Sequence, residues 1–328
     1  MLFIVSAGNH TGDIFIDVGT EEFAKMDAAE REKVVINSLN QERWSRRMMS
    51  PAESVNSLTV KATHHDHAGP LDNSEIIDPF ETAGMFSPVN PITLGKANGI
   101  KPEIMVPGGR VTYRNSSFLD KDPVNLRVVN TPKPFGPGHK VAVPGNALGA
   151  INSYAFSYGT SNAAALTTRR IAMLHETIQS MREFQTDAAL ESAPESLILM
   201  ALIVHGAELP ADAINVCRDV LRTEENSRTY KSDQGQYFGY GRVHEQRIHA
   251  CKPNQATLIR TGELLLEESE TYSFPLPPCL ASSEESRRMI VTLAWFSPIN
   301  PTHNEYHQAQ MWVSDPKKSS VLHFKTGD

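Results

Sequence analysis

The junction Tyr158-Gly159-Thr160-Ser161-Asn162 constrains the architecture of this chain more than any other stretch. Gly159 lets the backbone turn where a side chain would clash. Thr160 and Ser161 are residue types that start helices. Behind them Ala164, Thr167, Ile171, Leu174, Ile178 and Met181 recur at three- and four-residue spacing, one apolar stripe of a long helix. Arg169, Arg170, Glu176 and Arg182 fall off the stripe. Such a helix must lie with one face on a core, which fixes where its first turn sits. A serine on that turn has two chemical advantages. The helix dipole favours negative charge beside it, and the unpaired first N–H groups can donate to an oxyanion. Taken alone, Gly-Thr-Ser reads as a helix start, because short motifs match by chance.

Two further stretches change the weighing. Leu2-Phe3-Ile4-Val5-Ser6-Ala7-Gly8-Asn9 is an apolar run ending in small residues and an asparagine. It suits a strand covered on both faces of a parallel sheet. Ligands gather at the carboxyl ends of such strands, where Asn9 falls. The Asn9 amide could donate to an oxyanion facing Ser161, although an isolated Asn is an ordinary turn residue. The other stretch is Gly99-Ile100-Lys101-Pro102-Glu103-Ile104-Met105-Val106-Pro107-Gly108-Gly109.

In this order the three stretches resemble the C-terminal half of the subtilisin-like serine peptidases. That family has a Ser-Ala-Gly-Asn strand end, then Lys-Pro-Asp/Glu-Ile-x-x-Pro-Gly, then Gly-Thr-Ser. Leu197 to His205 is similar to the helix after the serine helix. Phe238-Gly239-Tyr240-Gly241-Arg242-Val243 is similar to a Gly-Tyr-Gly-Arg segment near the end of the catalytic domain. The resemblance covers about the first 245 residues, and ordered motifs are harder to obtain by chance than single ones. It implies an α/β fold, a parallel sheet flanked by helices. It also implies a polypeptide substrate, no cofactor, Ser161 as nucleophile and Asn9 in the oxyanion hole. By the same resemblance Ala7 and Gly8 wall the pocket for the residue preceding the cut, with Gly159 and Thr160 beside them. A His would act as base and an Asp would orient it.

Two departures matter. The family has Met-Ala-x-Pro after the serine, and this chain has Asn162-Ala163-Ala164-Ala165. Alanine is the better helix former, so the helix stands. The family's Asp-Ser/Thr-Gly and His-Gly-Thr-His segments do not occur in these residues. The chain is therefore expected to be the second half of a peptidase domain, inactive without an N-terminal half as partner. A rival reading makes it a non-catalytic remnant acting as a protein-interaction module. Asn162 and the missing Pro favour the remnant; the retained Ser161 and Asn9 favour the peptidase.

Composition bounds the rest. A formal net charge of -7 argues against nucleic acid as partner. No run is long enough to span a membrane. Cys217, Cys251 and Cys279 have no metal spacing and an odd count, which suits reduced thiols and a cytoplasmic location. Residues 13–50 read as an insertion, charge-rich and partly helical, forming a solvated surface element. Ser54 to Thr63 alternates into a strand, and another is expected over Arg110 to Arg114. His64, His65, Asp66 and His67 are ligand types, but neighbours on a strand point to opposite faces, which disfavours one shared ion. A histidine of this group standing in for the base is the weaker alternative. Residues 68–98 and 115–150 read as Pro/Gly-rich loops. Ser192-Ala193-Pro194-Glu195 reads as a capping box. From residue 254 short strand patterns appear, the strongest Met289 to Trp295. The expected division is a partial peptidase domain over 1–253 and a small β-sandwich over 254–328.

Overall fold

The computed structural model describes residues 1–313 except 72, 74, 118, 185–191, 250–255, 273–288, 301 and 303–307. In chain order the elements are β1 (Ile4–Ser6), β2 (Ile14–Gly19), α1 (Thr20–Lys25), α2 (Ala28–Gln41), β3 (Leu58–Thr63), β4 (Ile104–Pro107), β5 (Tyr113–Asn115), β6 (Pro123–Val128), β7 (His139–Ala142) and β8 (Tyr154–Ser157). They continue with α3 (Thr160–Phe184), α4 (Glu195–His205), β9 (Ala207–Glu208), α5 (Ala211–Leu221), α6 (Tyr230–Phe238), β10 (Arg242–Val243) and α7 (Glu245–His249).

The stretches at Leu2 to Asn9, Ser54 to Thr63 and Lys101 to Gly109 supply β1, β3 and β4, which form one sheet with two short strands in the order β1-β3-β4-β10-β9. Its first four strands are parallel, with Val5 opposite Thr59 and Val60 opposite Ile104; β9 is antiparallel. Every residue of β3 is buried, as a central parallel strand requires. Alternation then assigns the faces. Leu58, Val60, Ala62, Ile104 and Val106 pack with Ala163, Ile171, Leu174 and Ile178 of α3 and Ile198 and Ile203 of α4. Met105 points the other way and joins Phe86, Tyr237 and Phe238. The Lys-Pro-Glu-Ile motif locks the register. Lys101 Nζ donates to Glu103 and to Ser57 O (2.7 Å), and Glu103 Oε2 accepts the Thr59 N–H (2.9 Å). Burial pushes the Glu103 carboxyl above the usual range, against the pull of Lys101.

Residues 13–50 are not a solvated surface element, and 115–150 are not only loop. Ile14 and Ile16 are buried while Phe15 is exposed, a period-2 pattern. β2 pairs antiparallel with β6 (Ile14 opposite Leu126, Ile16 opposite Val124), and β6 with β5, giving a second sheet, β2-β6-β5. The strand expected over Arg110 to Arg114 begins later, at Tyr113, because the Ile77–Tyr113 bridge and the β6 ladder start there. α2 opens on a true capping box, in which Asp27 Oδ1 accepts the Glu30 N–H (2.8 Å) and Glu30 accepts the Asp27 N–H (3.1 Å). It buries Val35, Ile36 and Leu39 against this sheet and against Met85, Val89 and Phe86 of the 68–98 stretch. The buried Glu32 carboxylate accepts the N–H groups of Glu81 (2.7 Å) and Thr82 (2.9 Å), tying that stretch down. The same cluster includes Met105 and Phe238, so the insertion covers the second face of the parallel sheet.

The capping box expected at Ser192 does not cap α4. The helix starts at Glu195 with Pro194 before it and no side-chain cap, because Glu195 turns to α3, accepting from His175, Gln179 (3.0 Å) and Arg182 (3.3 Å). Beyond His249 the described residues form no strand or helix, so the expected β-sandwich is not seen among them. Residues 289–300 instead run against the domain, with Asn56 and Ser297 exchanging two hydrogen bonds (3.1 and 3.2 Å). Cys251, Cys279 and the Lys-rich tail lie outside the described residues.

Candidate active site

The carboxyl ends of β1, β3 and β4 and the amino end of α3 meet at one edge of the parallel sheet, where ligands gather in such folds. Asn9 leaves β1 and turns its side-chain oxygen onto the Thr160 N–H, 2.9 Å away across 151 residues of sequence. This fixes the amide orientation, with Nδ2 on the side of Gly159. Gly159 has φ +132°, and a Cβ there would stand 2.9 Å from Asn9 Nδ2. Only glycine fits both the conformation and the space. The buried Thr160 hydroxyl accepts the Gly8 N–H (3.2 Å) and lies 3.2 Å from Gly8 O and Asn9 Oδ1. Ala7 is wholly buried. Ala7 and Thr160 thus support the site from beneath. Ser161, the second residue of α3, is exposed; its N–H belongs to the first turn, whose donors have no partner within a helix.

The Pro-Gly-Gly end of β4 closes the arrangement. Gly108 O accepts the Gly159 N–H (2.9 Å), and a Cβ on Gly108 would lie 2.3 Å from the Ala62 Cβ. Asn162, following the serine, donates from Nδ2 to Gly108 O (3.3 Å) and pairs with the Ser157 hydroxyl (2.9 Å from Nδ2). The structure therefore brings together all six residues singled out in the sequence, Ala7, Gly8, Asn9, Gly159, Thr160 and Ser161. The connections of Asn162 and Gly108 were not legible there; the departure from Met at 162 marked the place but not the role.

A third wall is contributed by the insertion. Met49 lies flat on Gly8, its side-chain atoms 2.8–2.9 Å from where a Cβ would stand, and its N–H donates to Ala7 O (3.3 Å). His10 Nε2 donates to Arg47 O (2.8 Å), holding this segment in place. Burial pushes the His10 ring below its usual range, so it is neutral near pH 7.

The histidine cluster is arranged differently from a base beside a nucleophile. His64 is buried; Nε2 donates to Asp78 (2.7 Å) and Nδ1 accepts the Val111 N–H (3.4 Å), so both nitrogens are engaged. Asp66 is held by the Arg110 N–H (2.9 Å) and Nε (3.2 Å). His65 and His67 stack edge to face, 5.7 Å between centroids. Burial lowers the His65 ring, with Arg242 and His67 acting in the same direction. Among the described residues no histidine hydrogen-bonds to Ser161.

A family model described as the subtilase family matches residues 1–241. The protein named "Uncharacterized protein y4bN" from Sinorhizobium fredii (strain NBRC 101917 / NGR234) is 24% identical over 266 residues, covering 79% of this chain and 53% of that protein. The chain thus spans about half the length of the curated relative it matches. No solved structure matches it. Among the described residues no helix is long and apolar enough to cross a membrane.

Proposed function

This chain belongs to the subtilase family of serine peptidases, and from that premise we propose that it carries the nucleophile half of a serine endopeptidase site. Ser161 attacks the scissile carbonyl and forms the acyl-enzyme. The Asn9 amide and the Ser161 N–H stabilise the oxyanion, and Gly8 lines the wall that receives the polypeptide, with the buried Ala7, Gly159 and Thr160 behind it. The observation that carries this reading is the Asn9–Thr160 bond, which holds the Asn9 amide against Gly159 and the residue before Ser161.

Base and orienting carboxylate are proposed to come from an N-terminal half of the same peptidase. The support is that the family's Asp and His motifs do not occur in these residues and that both nitrogens of His64 are engaged. Without them the chain is expected to hydrolyse peptides far more slowly than a complete enzyme, since losing a triad member leaves only about 10³–10⁴-fold catalysis over water. No cofactor enters this mechanism. A cytoplasmic location is proposed on the odd count of Cys217, Cys251 and Cys279, which suits reduced thiols. The test is peptide hydrolysis by the purified chain alone and after joining to a half supplying Asp and His. Acceleration that Ser161→Ala abolishes supports the reading; rapid hydrolysis by the chain alone, or none after joining, overturns it.

A further inference from the structure

We propose that Asn162 is a positioning residue: it staples the nucleophile turn to Gly108 and Ser157 and sets the reactivity of Ser161. This rests on Ser161 being the nucleophile.

Two side-chain anchors flank Ser161. On one side Thr160 is tied to Asn9 (2.9 Å) and Gly8 (3.2 Å). On the other side Asn162 is tied to Gly108 O (3.3 Å) and to the Ser157 hydroxyl, which lies 2.9 Å from its Nδ2 and 3.2 Å from its Oδ1. Gly108 O also accepts the Gly159 N–H (2.9 Å), so one carbonyl gathers donors from both sides of the serine. Ser157 ends β8, the strand that leads into the turn. The staple therefore joins strand end, sheet edge and first helical turn around one residue. An Asn side chain supplies a donor and an acceptor at once. Methionine, which the family carries at this place, has no donor and only a weakly accepting sulfur, so it would lose the bonds to Gly108 O and the Ser157 hydroxyl and leave the first turn less firmly held. A misplacement of about 1 Å at a reacting group can cost roughly a hundredfold in rate. Restoring the family's residue is thus expected to harm this chain, the opposite of what a consensus argument gives.

The test is modification of Ser161 by a fluorophosphonate in the chain joined to a half supplying Asp and His, followed by mass spectrometry of the Ser161 peptide with the chain's other serines as internal reference. Asn162→Met is expected to lower the maximal inactivation rate at least tenfold, with the half-saturating probe concentration unchanged and Tm within a few degrees of wild type. Ser157→Ala is expected to lower the rate by less, and the double variant to be no slower than Asn162→Met alone, because both remove one staple. An Asn162→Met rate within twofold of wild type, or additive losses in the double variant, overturns the proposal. If wild-type Ser161 reacts no faster than the other serines, the peptidase reading falls instead. Hydrogen exchange at the Gly159 amide then decides the staple by itself: faster exchange in Asn162→Met supports it, and unchanged exchange overturns it.

Discussion

The parallel sheet β1-β3-β4-β10-β9 and the antiparallel sheet β2-β6-β5 share one chain but announce themselves differently. The core strands of the parallel sheet, β1, β3 and β4, show in the sequence as an apolar run ending in Asn9, an alternating stretch and a Lys-Pro-Glu-Ile motif ending in Gly-Gly, while β9 and β10 are two-residue pieces. The antiparallel sheet is assembled from residues 14–19 and 113–128, short alternating pieces that gain meaning only when paired. The first carries the proposed site. The second, with α2, covers the other face of the first and places Met49 and His10 at its edge. A site of this kind is positioned from both faces of its sheet, even when only one face carries the motif.

That comparison can be broken. Leu39 is wholly buried in the cluster shared by both sheets. Leu39→Ala should cost about 2–5 kcal/mol and shift a single cooperative transition, with Ser161 labelling of the folded protein unchanged. Two separate transitions in a calorimetric scan would show that the insertion is an appendage. Asn9→Ala should slow Ser161 labelling about 10²–10³-fold, roughly 2.7–4 kcal/mol, a magnitude taken over from subtilisin itself; a loss under threefold removes Asn9 from the oxyanion site. Gly108→Ala forces a methyl against Ala62 and should cost about 1–3 kcal/mol in a urea melt, while slowing labelling through the Gly108–Gly159 contact.

A pH effect concerns Lys61, buried without exposure on β3, its Nζ donating to the last carbonyls of α6, Gln236 and Tyr237. Burial pushes its ammonium down to about 7. The folded value lies below the unfolded one of about 10.4. Its stability contribution is therefore full above that value, is lost as pH falls toward 7, and is flat below. Between pH 7.5 and 9.5 stability should rise by up to about 1.4 kcal/mol per pH unit from this group. Lys61→Met should remove that rise, read as the difference in Tm between the two pH values. An unchanged pH slope in the variant would show that Lys61 is not its source.

How much was legible follows from range. The α3 stripe, the β1 run and the Lys-Pro-Glu-Ile turn are local patterns, and the structure reproduces them. Asn9, Gly159 and Thr160 were legible because each needs a specific residue type at a strand end or a turn. β2 and β6 were not, since a three-residue alternation such as Ile14-Phe15-Ile16 does not name its partner strand. Glu32 belongs to a charge-rich stretch that reads as surface, yet the fold buries it against the N–H groups of Glu81 and Thr82. The capping box at Ser192 failed because Glu195 has stronger partners on α3. The Asn162 staple joins residues brought together only by the fold, so sequence could flag the position and nothing more.

The most direct test of the central claim is to join residues 1–328 to a half supplying Asp and His, expose the folded protein to a fluorophosphonate and locate the adduct by mass spectrometry. The geometry predicts that Ser161 is modified first, at least tenfold ahead of any other serine, and that urea or Asn9→Ala removes the preference. Modification of Ser161 at the same rate as the other serines would contradict the claim that Asn9 and the α3 first turn form an activated site.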